Sequence, residues 1–278
     1  MQTPPGFSSR ASVASGFAAA LAAEVAPLLP GFAVEQVAEI DSTNTELMRR
    51  ARAGRCEPVL LVAERQTAGR GRLGRPWQSA QAVAQPASLT FSLGLPLAPR
   101  DWAGLSLAVG VSVADSLDPS RSAGLALKWP NDLWVNDRKL GGILIETALP
   151  QATPVGAARY VVIGIGLNLA PREAEGMKTP PAWVHAWRPD ATAPALLSEL
   201  VPPLVRTVLD FADQGFGPFA ERFAARDALR GRDVQLSDGI SGHCEGVGWG
   251  GELRVRTAAG LQEITSAEVS VRPSGMAF

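Results

Sequence analysis

Leu125-Ala-Leu-Lys-Trp-Pro-Asn-Asp-Leu-Trp-Val-Asn-Asp-Arg-Lys-Leu-Gly-Gly-Ile-Leu-Ile-Glu146 decides how this chain folds. Short apolar runs alternate here with turn residues. A strand ends near Lys128, Pro130-Asn131-Asp132 turns the chain, a second strand follows, Asn136-Asp137 makes a tight turn, and a third strand runs to Glu146. Lys128, Asp132, Lys139 and Glu146 flank otherwise apolar strands. Unpaired charge in such a setting is costly, so these four need partners or a ligand.

Working outward, residues 159–169 read as a further buried strand in which Gly164 and Gly166 leave room where side chains would stand. Upstream, residues 34–40 read as a strand. Asp41-Ser42-Thr43-Asn44 then supplies helix-capping residues before a helix over 45–54, with arginines in its last turn and a closing glycine. Three polar side chains in succession exceed what one cap needs, which leaves a ligand role open beside the structural one. Residues 59–63 form a continuous apolar strand, 89–93 another, and 102–117 a helix with Leu105, Ala108, Val109 and Val113 on one face.

The strand at 59–63 delivers Glu64-Arg-Gln-Thr-Ala-Gly-Arg-Gly-Arg-Leu-Gly-Arg-Pro-Trp77, with four arginines and three glycines. Such a stretch has poor strand propensity and nothing to bury, so it is a loop. Gly69, Gly71 and Gly74 satisfy a dinucleotide fingerprint, but no helix opens among them; a P-loop would need Lys and Ser or Thr where Arg75 and Pro76 stand. Crowded guanidinium groups suit phosphate or carboxylate oxygens, so this is an anion-binding loop of another kind, set against the plain alternative of a solvated basic loop.

The 278 residues, 46% hydrophobic, suffice for a large core with one smaller appended domain. With a formal net charge of −1 the arginine loop is a local feature, and a generally basic nucleic-acid binder is disfavoured. Cys56 and Cys244 suit a cytoplasmic chain with free thiols, and His185 and His243 lack zinc spacing. Residues 12–29 read as one amphipathic helix, with Arg10 and Glu24 arguing against a signal peptide, and no stretch has the length of a membrane span. Residues 79–87 are Ala/Gln-rich. Helices are expected over 195–213, kinked or divided by Pro202-Pro203, and over 219–229. From 231 onward short strands alternate with glycine-rich turns, at 233–236, 244–248, 253–257, 263–265 and 269–272.

Taken together, Ser42-Thr43-Asn44, Gln66 with Gly69-Arg-Gly-Arg-x-Gly-Arg75, Lys128-Trp-Pro-Asn-Asp132, Asp137-Arg-Lys-Leu-Gly-Gly-Ile-Leu-Ile-Glu146 and Gly164-Ile-Gly-Leu-Asn168 stand in the order and approximate spacing of the biotin–protein ligases, and the chain resembles that family from about residue 38 to its end. The resemblance implies an α/β (α+β) fold: a mixed-sheet catalytic domain over 34–229, a small SH3-like β-barrel over 230–278, and a helical extension over 1–33. It also implies chemistry. Biotin and ATP, with Mg²⁺, give biotinyl-5′-AMP, and a lysine of a biotin carboxyl carrier protein of acetyl-CoA carboxylase or a related carboxylase takes the biotinyl group. Arg70, Lys139 and Asp132 would be catalytic, with Asp132 also the Mg²⁺ contact. Ser42, Thr43, Asn44, Gln66, Gly69, Arg70, Lys139, Gly142 and Gly164 would bind biotin. Arg72, Arg75, Trp77, Asn131, Lys139, Asn168 and Trp183 would bind ATP, and residues 170–183 would order over the adenylate. With one helix ahead of the motifs, no DNA partner, repressor activity or membrane partner is expected, and the chain would be a monomer or weak homodimer. Gln66 with the full arginine loop, and Lys139-Leu-Gly-Gly, argue against a lipoate or octanoyl transferase of related fold. The third reading is a non-catalytic nucleotide- or nucleic-acid-binding protein.

Overall fold

The computed structural model describes residues 16–78, 87–149, 158–172, 179–265 and 271–275. Among these, seven strands build one sheet: β1 (Ala33–Ile40), β2 (Val59–Gln66), β3 (Ser88–Leu97), β4 (Leu125–Lys128), β5 (Asp132–Val135), β6 (Arg138–Ala148) and β7 (Arg159–Asn168). Their spatial order is β1-β2-β3-β7-β6-β5-β4; β1 and β2 run parallel and every other neighbouring pair is antiparallel. The opening stretch of sequence is thus the β4-β5-β6 edge. Its tight turn is formed as expected, with both Asn136 and Asp137 at positive φ, the geometry a two-residue hairpin requires.

Side-chain alternation decides what each face of this sheet does. Leu60 and Val62 of β2, Leu89, Phe91 and Leu93 of β3, and Val161, Ile163, Ile165 and Leu167 of β7 join one core with α1 (Gly16–Val25), α3 (Leu105–Leu117) and α4 (Ala193–Gln214). The opposite face packs α2 (Thr43–Arg52) through Leu47, Met48, Leu61, Tyr160 and Val162. Fully buried aliphatic side chains of this kind contribute about 1.5–3 kcal/mol each. Along β7 that second face reads Tyr160, Val162, Gly164, Gly166, Asn168: packing bulk under α2 gives way to bare backbone farther along. The sheet therefore has a floor with no side chains, and the functional cleft stands on it.

Several sequence expectations change. The helix expected over 12–29 is α1 followed by turns over 26–31; residues 12–15 lie outside the described residues. Pro202 and Pro203 do not divide α4, which is one helix of 22 residues. The carbonyls those prolines leave without an N–H belong to Ser198 and Glu199, both exposed, so water can serve them. The helix expected over 219–229 is only α5 (Ala220–Ala224). Beyond it the chain pairs with β4, where Leu127 N–H donates to Arg226 O at 2.7 Å and Ala228 N–H to Leu127 O at 3.0 Å, while Asp227 accepts from Leu229 N–H at 2.8 Å. The Arg226 side chain is 2% exposed and donates to Asp115, Leu125 O and Asp118 O, pinning this segment to α3 and β4. Arg226 also lies 3.8 Å from the Asp118 carboxylate, buried like itself, and removing one partner from a buried ion pair of this kind costs about 3–5 kcal/mol.

A second, antiparallel sheet follows, with β8 (Asp233–Leu236), β9 (Ser241–Val247), β10 (Leu253–Thr257), β11 (Gly260–Ile264) and β12 (Val271–Pro273) in the order β11-β10-β9-β8-β12. Its buried residues Val234, Leu236, Leu253 and Val255 belong to the same continuous core as the large sheet. Trp129, fully buried, donates to Gly251 O at 3.1 Å, and Arg232 pairs with Asp137. These contacts tie the second sheet to the β4-β5-β6 edge of the first. Both cysteines are free, and among the described residues no helix is long and apolar enough to cross a membrane.

Candidate active site

A cleft of about 620 Å³ opens over the glycine floor, a volume within the range of small-molecule sites. Gly164 and Gly166 of β7 and Gly142 of β6 line it, as does Thr90 of β3. Two of these glycines are held by close neighbours. A Cβ at Gly164 would lie 2.1 Å from Asn44 Oδ1, and one at Gly166 would lie 2.5–2.9 Å from the Trp77 indole. Gly69 has a similar constraint, since its Cβ would meet Trp77 O at 2.4 Å.

One end of the cleft is neutral and closely hydrogen-bonded. Gln66 Oε1 accepts from Thr43 N–H at 2.7 Å and from the Thr43 hydroxyl at 3.1 Å. The buried Ser92 hydroxyl lies 2.7 Å from Thr43 Oγ1 and 2.6 Å from Asn44 Oδ1, while Asn44 Nδ2 donates to Leu144 O and Glu146. Ser42 caps α2 by accepting from Thr45 N–H, which fixes the backbone that presents Thr43. Thr43 and Gln66 line the cleft. Ser42, Asn44 and Gly69 stand behind that wall as supports.

The arginine loop closes on itself as a small hairpin. Arg70 bridges Pro76, Gly71 N–H donates to Arg75 O at 2.7 Å, and Trp77 N–H donates to Gly69 O at 2.8 Å. Its arginines part ways. Arg70, with a 44% exposed side chain, donates to both Glu146 oxygens at 3.0 Å and to Thr45 Oγ1 at 3.1 Å. Arg72 turns toward Asn131, 3.4 Å away, within the field of Asp132; burial lowers its pKa. Asn131 in turn donates to Ile143 O at 2.8 Å.

At the other end of the cleft charge is concentrated. Lys139 Nζ donates to Asp132 Oδ1 at 2.7 Å. Burial works to raise the Asp132 pKa, but the ammonium groups of Lys139 and Lys128, and the hydrogen bond from Lys139, hold it below the usual carboxylate range. Burial pushes Lys128 down to about 8, against the pull of Asp132 and with help from Lys139, Arg272 and Arg75. The residues 179–182 run alongside Lys139, with Lys139 N–H donating to Pro180 O at 2.8 Å and Ala182 N–H to Lys139 O at 2.9 Å. Asn168 braces this arrangement by donating to Lys139 O and Ala182 O, both at 3.0 Å, and accepts from Arg172, which also reaches Gln78 O at 3.1 Å.

The structure thus brings Thr43, Gln66, Arg70, Arg72, Arg75, Trp77, Asn131, Asp132, Lys139, Gly142, Gly164 and Asn168 to one cleft. Trp183 stays off its lining, under the Arg138 guanidinium at 5.2 Å. Of the loop over 170–183, residues 173–178 lie outside the described residues, as do 79–86 of the Ala/Gln-rich segment. Sequence reasoning gave no role to Arg172 or to Arg272 of β12, both of which line the cleft. Arg272 is 8% exposed, and a buried arginine at the end of a small β-unit carries no local signal of what it faces.

No group of three or more His, Cys, Asp or Glu among the described residues could cage a metal. Mg²⁺ commonly binds through one or two carboxylates plus substrate phosphates, so Asp132 fits Mg²⁺ that arrives with a nucleotide.

The signature of the biotin/lipoate A/B protein ligase family matches residues 37–168. The biotin--[acetyl-CoA-carboxylase] ligase of Paracoccus denitrificans is 34% identical over 84% of this chain and 98% of its own. That of Mycobacterium tuberculosis is 40% identical over 51% of this chain, and the match spans about half, 52%, of its own length. Among solved structures, the biotin protein ligase from Aquifex aeolicus in complex with biotin and ATP superposes with a TM-score of 0.71 at 28% identity, covering 87% of this chain and 99% of that one.

Proposed function

This chain belongs to the biotin protein ligases of the biotin/lipoate A/B protein ligase family, and on that premise we propose that it activates biotin with ATP as biotinyl-5′-AMP and transfers it to a lysine of a biotin carboxyl carrier protein. The observation that carries this reading is the division of one cleft into a neutral hydrogen-bonding end at Thr43 and Gln66 and a cationic end at Lys139, Arg72 and Arg75. The first suits the ureido ring of biotin over the glycine floor. The second suits a polyphosphate.

In the first step a biotin carboxylate oxygen attacks the α-phosphorus. The bond from that phosphorus to the oxygen bridging to the β-phosphate breaks, and its electron pair leaves with pyrophosphate. Two anions must approach, so the barrier falls only where fixed cations face the developing charge. Lys139 is held ready for this by Asp132, and its backbone is locked from both sides by residues 180–182 and Asn168. Arg72, anchored on Asn131, supports the α-phosphate. Mg²⁺ bound through Asp132 and the phosphates would supply further charge neutralisation.

In the second step the carrier amine attacks the acyl carbon and AMP departs with the electrons of the acyl–oxygen bond. The amine must first lose a proton, since an ammonium has no lone pair. Asp132, kept ionised by its neighbours, is the adjacent carboxylate, and Glu146 serves to hold Arg70 and Asn44.

The test is to incubate the protein with ATP, Mg²⁺, biotin and a biotin carboxyl carrier domain and follow carrier mass. The reading expects the gain of one biotinyl group; a folded protein that leaves the carrier mass unchanged defeats it.

A further inference from the structure

Ser92 places a hydroxyl deep in the sheet, behind the wall of the cleft. It stands on β3 two residues from Thr90, opposite Gly164 of β7, and is fully buried. Its oxygen meets two others, Asn44 Oδ1 at 2.6 Å and Thr43 Oγ1 at 2.7 Å, and Thr43 Oγ1 in turn stands 3.1 Å from Gln66 Oε1. The bland reading is that Ser92 does no more than answer the Asn44 carbonyl. That accounts for one of its contacts and leaves the one to Thr43 unexplained.

A count of hydrogens explains it. The carbonyl oxygens of Asn44 and Gln66 bring none, and the hydroxyls of Ser92 and Thr43 bring one each, so three contacts share two hydrogens. Other partners fix both amides: Asn44 Nδ2 donates to Leu144 O and Glu146, which turns Oδ1 toward Ser92, and Gln66 Oε1 takes Thr43 N–H at 2.7 Å. Asn44 Oδ1 meets no other hydrogen-bond donor among the described residues, so the Ser92 hydrogen goes to it. The Thr43 hydrogen then has two claimants, Gln66 Oε1 and the nearer Ser92 oxygen. Turned to Ser92, it fills a contact between buried oxygens that is otherwise costly, and it removes one of the two donors that Gln66 Oε1 takes from Thr43.

We propose that Ser92 is a positioning residue that draws the Thr43 hydrogen out of the cleft, so that Thr43 Oγ1 and Gln66 Oε1 form an edge of acceptors selective for a ligand ring presenting N–H rather than oxygen. The assignment rests on the reading of this end as the seat of the ureido ring, and goes beyond it in naming what sets the polarity of that seat. A ring N–H donates to the edge as it stands. A ring oxygen in the same place meets lone pairs, and Thr43 answers it only by turning its hydrogen to the ligand, which strips the contact with Ser92. Without the Ser92 hydroxyl that turn carries no such penalty.

The probes are biotin and the two cyclic carbamates in which one or the other ring N–H is replaced by oxygen, titrated calorimetrically into the full chain. Wild type is expected to disfavour the isomer that sets oxygen against Thr43 by about 100-fold relative to biotin. Ser92→Ala should narrow that ratio to about tenfold, with the ratio for the other isomer and the affinity for ATP unchanged. A packing defect alone would weaken all three ligands alike and leave the ratio at its wild-type value. Thr43→Val should remove the same discrimination, and adding Ser92→Ala to it should change the ratio no further, because Ser92 acts through Thr43. If Ser92→Ala fails to fold, Ser92→Cys, which keeps the bulk but offers only a weakly hydrogen-bonding sulfur, should shift the ratio in the same direction. An unchanged ratio in the folded Ser92 variant, or an equal narrowing when Thr43 is already Val, overturns the proposal. Discrimination through Ser92 in a protein that forms no adenylate would instead defeat the ligase reading and leave this assignment standing, and a folded protein that does not bind biotin defeats both.

Discussion

Around Thr43, the side chains of Asn44, Gln66 and Ser92 meet it or one another at 2.6–3.1 Å, whereas around Lys128 the cations Lys139, Arg272 and Arg75 gather with the carboxylate of Asp132. The difference follows from what each end must do. A neutral ring can be met by a wall already bonded within itself, with its remaining donors and acceptors aimed at the ligand. A polyphosphate needs positive charge that the protein leaves unneutralised, and the protein holds that charge at a cost until the anion arrives. On this account the biotin end is preformed and the nucleotide end is strained toward its ligand.

The sharpest way to break the comparison is to remove its centre. Lys139→Ala takes away the ammonium facing the reacting phosphate and strands Asp132, so biotin-dependent pyrophosphate release should fall by roughly 1,000-fold. A loss below about tenfold would show that Lys139 does not face the developing charge. Next comes the wall of the neutral end. Gly164→Ala drives a methyl against Asn44, which Ser92 and Leu144 O hold in place, and should weaken biotin binding by about 100-fold while ATP affinity is retained. Equal losses for both ligands would mean that the two ends are not separable.

Arg70 and Arg72 of the loop give a smaller contrast. Arg70 is committed to Glu146 and Thr45, and Arg72 to Asn131 beside Asp132. Arg72→Gly should therefore release the adenylate into solution and label bystander proteins about tenfold more than Arg70→Gly does. The reverse order, read by mass spectrometry of bystander lysines, would assign the hold on the intermediate to Arg70.

The smallest effect tests the strain directly. Burial holds Lys128 near 8, below the roughly 10.4 of an unfolded lysine, so the folded state binds fewer protons between those values and stability rises with pH across that window. Below pH 8 the burial penalty is present in full. Lys128→Met should then raise stability by about 1 kcal/mol at neutral pH, about 2–4 °C in Tm, with the gain shrinking as pH rises from about 8 to 10. A constant difference across that range would remove the titration of Lys128 as its cause.

How far the sequence could anticipate this depends on whether a feature is local. The turn at Asn136-Asp137, the cap at Ser42 and the apolar runs of β2, β3 and β7 are written in consecutive residues, and they fold as read. The opening stretch likewise forms β4, β5 and β6 in the expected order. What was not legible depends on partners distant in sequence. α5 stops early because Leu127, about a hundred residues back, pairs with the backbone beyond it, and Pro202-Pro203 sit within α4 where the residues whose carbonyls they orphan, Ser198 and Glu199, are exposed. The same holds in the cleft. Nothing near Asn44 says that its amide is used by Leu144, Glu146 and Ser92, and nothing near Trp183 says that Arg138 covers it. Motif reading found the residues of the cleft; only the fold sorts those that line it from those that support them.

The most direct test of the account is biotin-dependent exchange of labelled pyrophosphate into ATP, which needs no carrier and reports the first step alone. The account predicts exchange that requires both biotin and Mg²⁺ and is abolished by Lys139→Ala. Exchange that proceeds without biotin, or none at all in a folded protein that binds both biotin and ATP, would contradict it.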